Sequence, residues 1–388
     1  MSLSERAVGF DVLEALAEHL EKSGISVEEV GRISKLGGYQ SITKDDDGEA
    51  QIHDLHKWEI SPTFDSGPEW TPVDRGPAVK LSKRTSPKKN VDGWKTAVVW
   101  PDTQIGYWRR MDGELEATHD EAAIEVALAV VQDLDVADLL RVGDDLDLPD
   151  LGKYRTTPAF AGTTQAALDR NTVLGAEQRE AVGPDAKIVY LAGNHEVRLS
   201  NYLLDNAKAA YGLRAGRFAN EAPSAWPVMS VPYLCRLDEF DIEYRPGFPA
   251  SDYNVVPSFR IVHGLHVTSN GSTASKYLAR ERSSVAFGHV HRREYAARTF
   301  PNNGEAHEIF AASPGCLARI DGAVPSTKGA TDLDGRPLIG KPEDWQQGIG
   351  LVHYHEETDQ AIYENVEIRA NGAVRWARYG GKTYEAGR

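Results

Sequence analysis

Five short apolar runs, each stopping at a cluster of acids, amides or imidazoles, constrain this chain more than any other feature. TAVVW is followed by Asp102 and Gln104, and DLLRV by Asp144 and Asp147. KIVYLA leads into Asn194, His195 and Glu196, FRIV into His263, and SVAF into His289 and His291. Apolar runs this short, bounded this way, read as buried strands. Helical patterns lie between them, one over 118–134 with Thr118 and Glu121 as a capping box, another over 163–181. Strands alternating with helices indicate an α/β sandwich. Strand ends on one edge of such a sheet come together, and ligands bind there. Side chains far apart in sequence are therefore expected to converge.

The rest of the chain is less regular. EIFAASPG (308–315) reads as a further strand, and GIGLVHYH and AIYENVEI alternate like antiparallel strands that close the sheet with hairpins. Residues 1–43 are expected to form a small helical module. It comprises a helix over 7–23 and a second, SVEEVGRI (26–33), capped by Ser26 and Glu29. Such a pair suits docking or homo-oligomerisation, with a DNA-binding helix-turn-helix as the alternative. Residues 44–95 read as a Pro-rich linker or arm, punctuated by Pro62, Pro68, Pro72, Pro77 and Pro87. Its KLSKRTSPKK stretch is either a solvated arm or a phosphate binder. The main domain is expected over 96–388.

Composition excludes several classes. The chain has 388 residues, 58 acids against 43 Lys and Arg, and a net charge of −15, so its whole surface does not suit wrapping nucleic acid. No apolar run is long enough for a membrane span. The opening residues lack a signal layout, and two cysteines make no disulfide framework, so a cytoplasmic protein without membrane partners is expected.

Carboxylates, imidazoles and amides, with no cysteine among them, suit Mn, Fe, Zn or Mg rather than a structural zinc site. As an ordered series, Asp102-Thr-Gln104, Gly143-Asp144-Asp-Leu-Asp147, Gly193-Asn194-His195-Glu196, His263-Gly264 and Gly288-His289-Val-His291 resemble the calcineurin-like metallophosphoesterase superfamily. The family pattern is DxH, GDxxD, GNH(D/E), H and GHxH. The resemblance covers roughly residues 96–315 and is nearest the repair-nuclease-related enzymes of phages and bacteria. It implies a four-layer αββα sandwich around two divalent ions, manganese first among the candidates. By that resemblance Asp102 and His291 bind the first metal, Asp144 bridges, and Asn194, His263 and His289 bind the second. His195 meets the phosphate or protonates the leaving group, while Asp147 and Glu196 orient neighbours. The implied reaction is hydrolysis of phosphodiester bonds, in DNA or RNA, by a hydroxide bridging the two ions. Hydrolysis of cyclic or small nucleotides or phosphomonoesters, and a non-catalytic metal-stabilised scaffold, are the alternatives.

Gln104 departs from the pattern, because histidine is usual there and an amide oxygen is a weaker ligand. His119 is a candidate substitute. Around the centre, Arg198, Arg155, Lys276 and Arg280 are expected to contact a nucleic acid or nucleotide substrate, with Lys153, Tyr154 and Phe160 beside them. Arg282, Arg292 and Arg293 add local positive charge. Tyr107 and Trp108 are expected either to wall the cleft or to pack in the core.

Overall fold

The computed structural model describes residues 10–23, 30–44, 49–62, 92–153, 158–214, 226–268, 270–302, 304–324 and 343–387. It divides into two compact units, Met1–Ala78 and Val79–Arg388.

The first unit contains helix α1 (Phe10–Lys22) and an antiparallel hairpin of β1 (Val30–Lys44) and β2 (Ala50–Pro62), with Tyr39 opposite Leu55. Of the helix expected over 26–33, residues 26–29 lie outside the described residues and Val30–Ile33 is strand, which leaves no second helix of that length for a helix-turn-helix. Residues 44–95 are likewise not linker throughout. Gly37 and Gly38 disfavour helix, while Thr43, Ile42 and Tyr39 favour the pleated strand. The series of prolines begins only at Pro62, where β2 ends. KLSKRTSPKK lies outside the described residues.

The second unit begins with β3 (Lys95–Trp100), β4 (Tyr107–Arg109), β5 (Leu115–Ala117), α2 (Glu121–Gln132), β6 (Asp138–Arg141), α3 (Thr164–Val182), β7 (Lys187–Leu191) and α4 (Val197–Asn206). Next come α5 (Val231–Leu234), β8 (Ile242–Arg245), β9 (Asp252–Val256), β10 (Phe259–Val262), α6 (Thr273–Leu278) and β11 (Ser284–Phe287). It closes with β12 (Arg293–Asn302), β13 (Glu305–Pro314), β14 (Gln347–His355), β15 (Gln360–Asn371), β16 (Val374–Tyr379) and β17 (Lys382–Ala386).

Two mixed sheets result. The larger runs β17-β16-β15-β14-β3-β6-β7-β8, and the smaller β12-β13-β11-β10-β9. Strands β3, β6, β7 and β8 are parallel, and so are β10, β11 and β13. The expected C-terminal hairpins are present as the antiparallel run β14 to β17.

Alternation along each strand explains why the sheets stack. Ala97, Val99, Leu140, Val142, Val189 and Leu191 share one core with Phe259, Ile261, Ala286 and Phe310 of the smaller sheet. Their neighbours Val98, Trp100, Leu139, Ile188 and Tyr190 face the other way, onto residues of α2 and α3. Val285, Phe287 and Ala311 turn outward onto Ala274, Tyr277 and Leu278 of α6. Each fully buried Leu, Ile or Phe contributes about 1.5–3 kcal/mol. The second unit is thus α/β, with mixed sheets and few helices, and among the described residues the six-residue α6 covers the smaller sheet in this core.

Helix α2 starts later than expected. Its N-cap is Asp120, whose carboxylate accepts from the Ala123 N–H. Thr118 has its hydroxyl buried without a partner instead. No described helix is long and apolar enough to cross a membrane.

Candidate metal centre

Every candidate ligand follows the C-terminal end of a parallel strand. Asp102 and Gln104 follow β3, Asp144 follows β6, Asn194 follows β7, His263 follows β10, and His289 and His291 follow β11. Because the strands run in register, these loops meet at one edge. Backbone bonds fasten them: Gln104 N–H donates to the Asp144 carbonyl (3.0 Å), Asp147 N–H to that of Ile105 (2.9 Å), and Gly288 N–H to that of His263 (2.9 Å).

Two groups of ligand atoms result, each lying within 4.8 Å: Asp144, His263 and His289, and Asp102, Asp144 and His291. Asp144 belongs to both. His263 Nδ1 faces the Val142 carbonyl at 2.8 Å, so the tautomer with hydrogen on Nδ1 leaves Nε2 toward Asn194 Oδ1 (3.1 Å) and Asp144 Oδ2 (3.4 Å). His291 Nε2 lies 3.1 Å from Asp102 Oδ1. Gln104 is fully buried, and its Nε2 donates to Asp144 Oδ2 (3.4 Å). Its Oε1 has no partner, and neither has His291 Nδ1. A buried acceptor left so costs about 1–3 kcal/mol, and a cation would satisfy it. The donor set therefore fits a hard or borderline divalent ion.

The backbone is strained where the ligands sit. Gln104, Asp144, His289 and His291 have φ of 52°, 54°, 68° and 56°. Non-glycine residues rarely adopt this region, and such strain, about 1–3 kcal/mol each, concentrates at functional sites. Two motif glycines have a packing reason. A Cβ on Gly193 would stand 2.2 Å from Asp144 Oδ1, and one on Gly288 would stand 2.6 Å from Asp102 Oδ2.

Electrostatics point the same way. Burial penalises the charge on Asp144, but His195 and His263 outweigh it and hold the carboxyl well below its usual range. Burial would lower His263, yet Asp144 raises it to about 10. Burial and the neighbouring His263 push His289 down to about 4. The carboxylates thus draw positive charge into a buried place, where an ion competes with protons.

His195 stands beside this group. Its Nδ1 lies 3.2 Å from Asp147 Oδ1, its Nε2 2.7 Å from an Arg198 nitrogen, and its N–H donates to Asp144 Oδ1 (2.8 Å). Arg198 also donates to the Asp147 carbonyl and pairs with that residue's carboxylate at 3.6 Å. Burial opposes charge on His195, but Asp144 and Asp147 raise its pKa. Glu196 staples two loops: Oε2 accepts from the N–H groups of Asp144 (2.9 Å) and Gly193 (2.8 Å), and Oε1 from the Tyr190 hydroxyl (2.7 Å).

Sequence reasoning missed a buried network behind the centre. Asp145 accepts from Thr103 Oγ1 (2.9 Å), which lies between Asp102 and Gln104, and pairs with Arg141. Arg141 reaches Asn171 and lies over the Tyr190 ring at 4.1 Å. Removing one partner of such a buried pair typically costs about 3–5 kcal/mol. A readable signal existed, since Arg141 is a charge inside an apolar strand and needs a buried partner. Two aromatic flanks were also missed: Trp345 stands edge-on to His291 (4.1 Å between centroids), and Phe248 to His263 (5.6 Å).

Other expectations need correction. His119 cannot replace Gln104, because its ring nitrogens are engaged by Gly106 and by Glu121 (2.7 Å). For Trp108, which is buried, and Tyr107, which packs on the core, the packing alternative holds, and Phe160 is buried as well. Arg292 is held by Glu294 and Arg293 by Glu367. Lys276 lies on α6 and Arg280 just beyond it. Tyr154 and Arg155 lie outside the described residues. The chain matches no known family model and no curated protein.

Proposed function

We infer that the chain is a metal-dependent phosphodiesterase of the calcineurin-like metallophosphoesterase superfamily, with a four-layer αββα sandwich. The observation that carries this reading is the pair of ligand groups sharing Asp144. The motif order along the chain supports it, and so do the parallel strand ends that bring those motifs together.

One site is formed by Asp102, Gln104, Asp144 and His291, the other by Asp144, Asn194, His263 and His289. Two divalent ions held there supply Lewis-acid stabilisation of phosphoryl charge and make water acidic enough to act as a nucleophile near neutral pH. The residues do the rest. Asp147 orients His195 through Nδ1. His195 gives a proton to the leaving oxygen. Arg198, at the Nε2 edge of the same ring, grips a non-bridging phosphate oxygen. Glu196 and Gly193 keep Asp144 and Asn194 in place.

The test is a substrate panel with added manganese. Phosphodiesters, namely bis(p-nitrophenyl) phosphate and DNA or RNA strands, should be hydrolysed faster than p-nitrophenyl phosphate. Faster turnover of the monoester or of small nucleotides favours the alternative hydrolase. No turnover of any substrate favours a scaffold.

Gln104→His should raise first-site occupancy by manganese or zinc, because imidazole is the stronger ligand. Titration calorimetry reads this directly. An unchanged first-site affinity removes Gln104 from the ligand set.

A further inference from the structure

The flank of the centre beyond His263 carries cations that have no acidic partner among the described residues. Helix α6 is anchored to the site by Tyr277. The Tyr277 hydroxyl accepts from the Leu265 N–H (3.2 Å), and its ring stacks on Phe287 at 4.5 Å, just before Gly288 and His289. A Cβ on Gly264 would stand 2.9 Å from that hydroxyl and 3.6 Å from His289 Cβ. Tyr277 therefore sits against the loops of both His263 and His289. Lys276 precedes it on α6, Arg280 lies just past the end of the helix, and both cations act on His266. Arg280 reaches His266 Nε2 at 3.2 Å, and the His266 ring lies 5.5 Å from that of Tyr277. Burial and the charges of Lys276 and Arg280 together lower His266.

These cations differ from their neighbours in having no acidic partner. Arg260, Arg292 and Arg293 are each paired with a glutamate. Glu281, the acid closest in sequence, is taken by Arg260 at 2.6 Å. Among the described residues, Lys276, Arg280 and Arg282 form no ion pair, in a chain of net charge −15. Leu265 and Val267 are 54% and 55% exposed beside them. Unpaired cations next to exposed aliphatic side chains suit a chain that is anionic along one edge and apolar along the other.

We propose that Lys276, Arg280 and His266 form a phosphate-recognising subsite that binds the phosphates of a polynucleotide strand adjacent to the one that reacts. This rests on the phosphodiesterase reading above. It separates a strand substrate from a mononucleotide, which has no further phosphate to place there.

The experiment measures fluorescence anisotropy of fluorescein-labelled oligo(dT) and oligo(U), in EDTA, from about 50 to 200 mM NaCl. Each phosphate contact on a single strand contributes about 0.7 to the slope of log K against log salt, so Lys276→Gln with Arg280→Gln should flatten it by about 1.4. Lys95→Gln, at the opposite end of β3, should leave the slope as it is. An equal loss on both strands assigns the recognition to phosphate, and a loss on one adds a contact to the 2′-hydroxyl or to the thymine methyl. A slope unchanged in the double variant, or no binding by the parent protein, overturns the proposal. An unaltered thermal melting curve shows that the variant is folded. Because binding is read in EDTA, its outcome is separate from the manganese-dependent turnover that tests the phosphodiesterase reading.

Discussion

Asp144→Asn should strip the protein of both ions at once. Asp144 is the residue common to the two ligand groups, and each places its carboxylate within 4.8 Å of two imidazoles or of an imidazole and a second carboxylate. The substitution keeps the shape and the oxygen that accepts from the His195 N–H. It removes the charge that holds His263 at about 10. Even partners outside the ligand shell are worth about 10–100-fold in metal affinity, so losing the shared carboxylate should cost more than about 100-fold at each site. Elemental analysis after dialysis against manganese should find the variant nearly metal-free. Two ions retained per chain would remove Asp144 as the shared ligand. Circular dichroism is the companion measurement, because Glu196 still holds the Asp144 N–H and the fold should persist.

His195→Ala should have the opposite profile, with ions kept and turnover lost. His195 is in neither ligand group, yet it contacts Asp147, Arg198 and Asp144. Positioned proton transfer contributes about 10²–10⁴-fold, and kcat on a nucleotide strand should fall by that much, with a smaller loss on bis(p-nitrophenyl) phosphate. The substrate matters, since p-nitrophenolate leaves without much help, whereas the alkoxide of a nucleotide strand needs a proton. The deficit should therefore be larger on the strand. Equal deficits on both would assign His195 to binding the phosphate instead. Activity on the strand within about tenfold of the parent would remove it from the proton-transfer role.

The positions of the candidate ligands at the sheet edge were legible because a strand that ends announces itself. TAVVW, DLLRV and SVAF are too apolar for a surface and too short for a buried helix, and their polar successors must emerge at the sheet edge. The hairpin of β1 and β2 was not legible in the same way. Its sequence mixes charge, glycine and β-branched residues without the clean alternation of a half-buried strand, and a local capping box outbid it. The true cap of α2, Asp120, lies two residues past Thr118 and also accepts from Arg375 and Gln347, partners more than 200 positions away. Strands β9 and β12 are edges of the smaller sheet, defined by pairing with β10 and β13 more than by their own pattern. Trp345 follows a long stretch outside the described residues, so no periodicity tied it to His291. The buried Arg141–Asp145 pair is the instructive miss. A charge in an apolar strand implies a second one, and Asp145 stood beside an acid already singled out.

The most direct measurement is anomalous diffraction at the manganese edge from crystals grown with that ion. Two peaks are expected, one on either side of the Asp144 carboxylate. One should be bounded by Asp102, Gln104 and His291, and the other by Asn194, His263 and His289. Crystals with no peak at Asp144, or with manganese bound only at other residues, would contradict this arrangement.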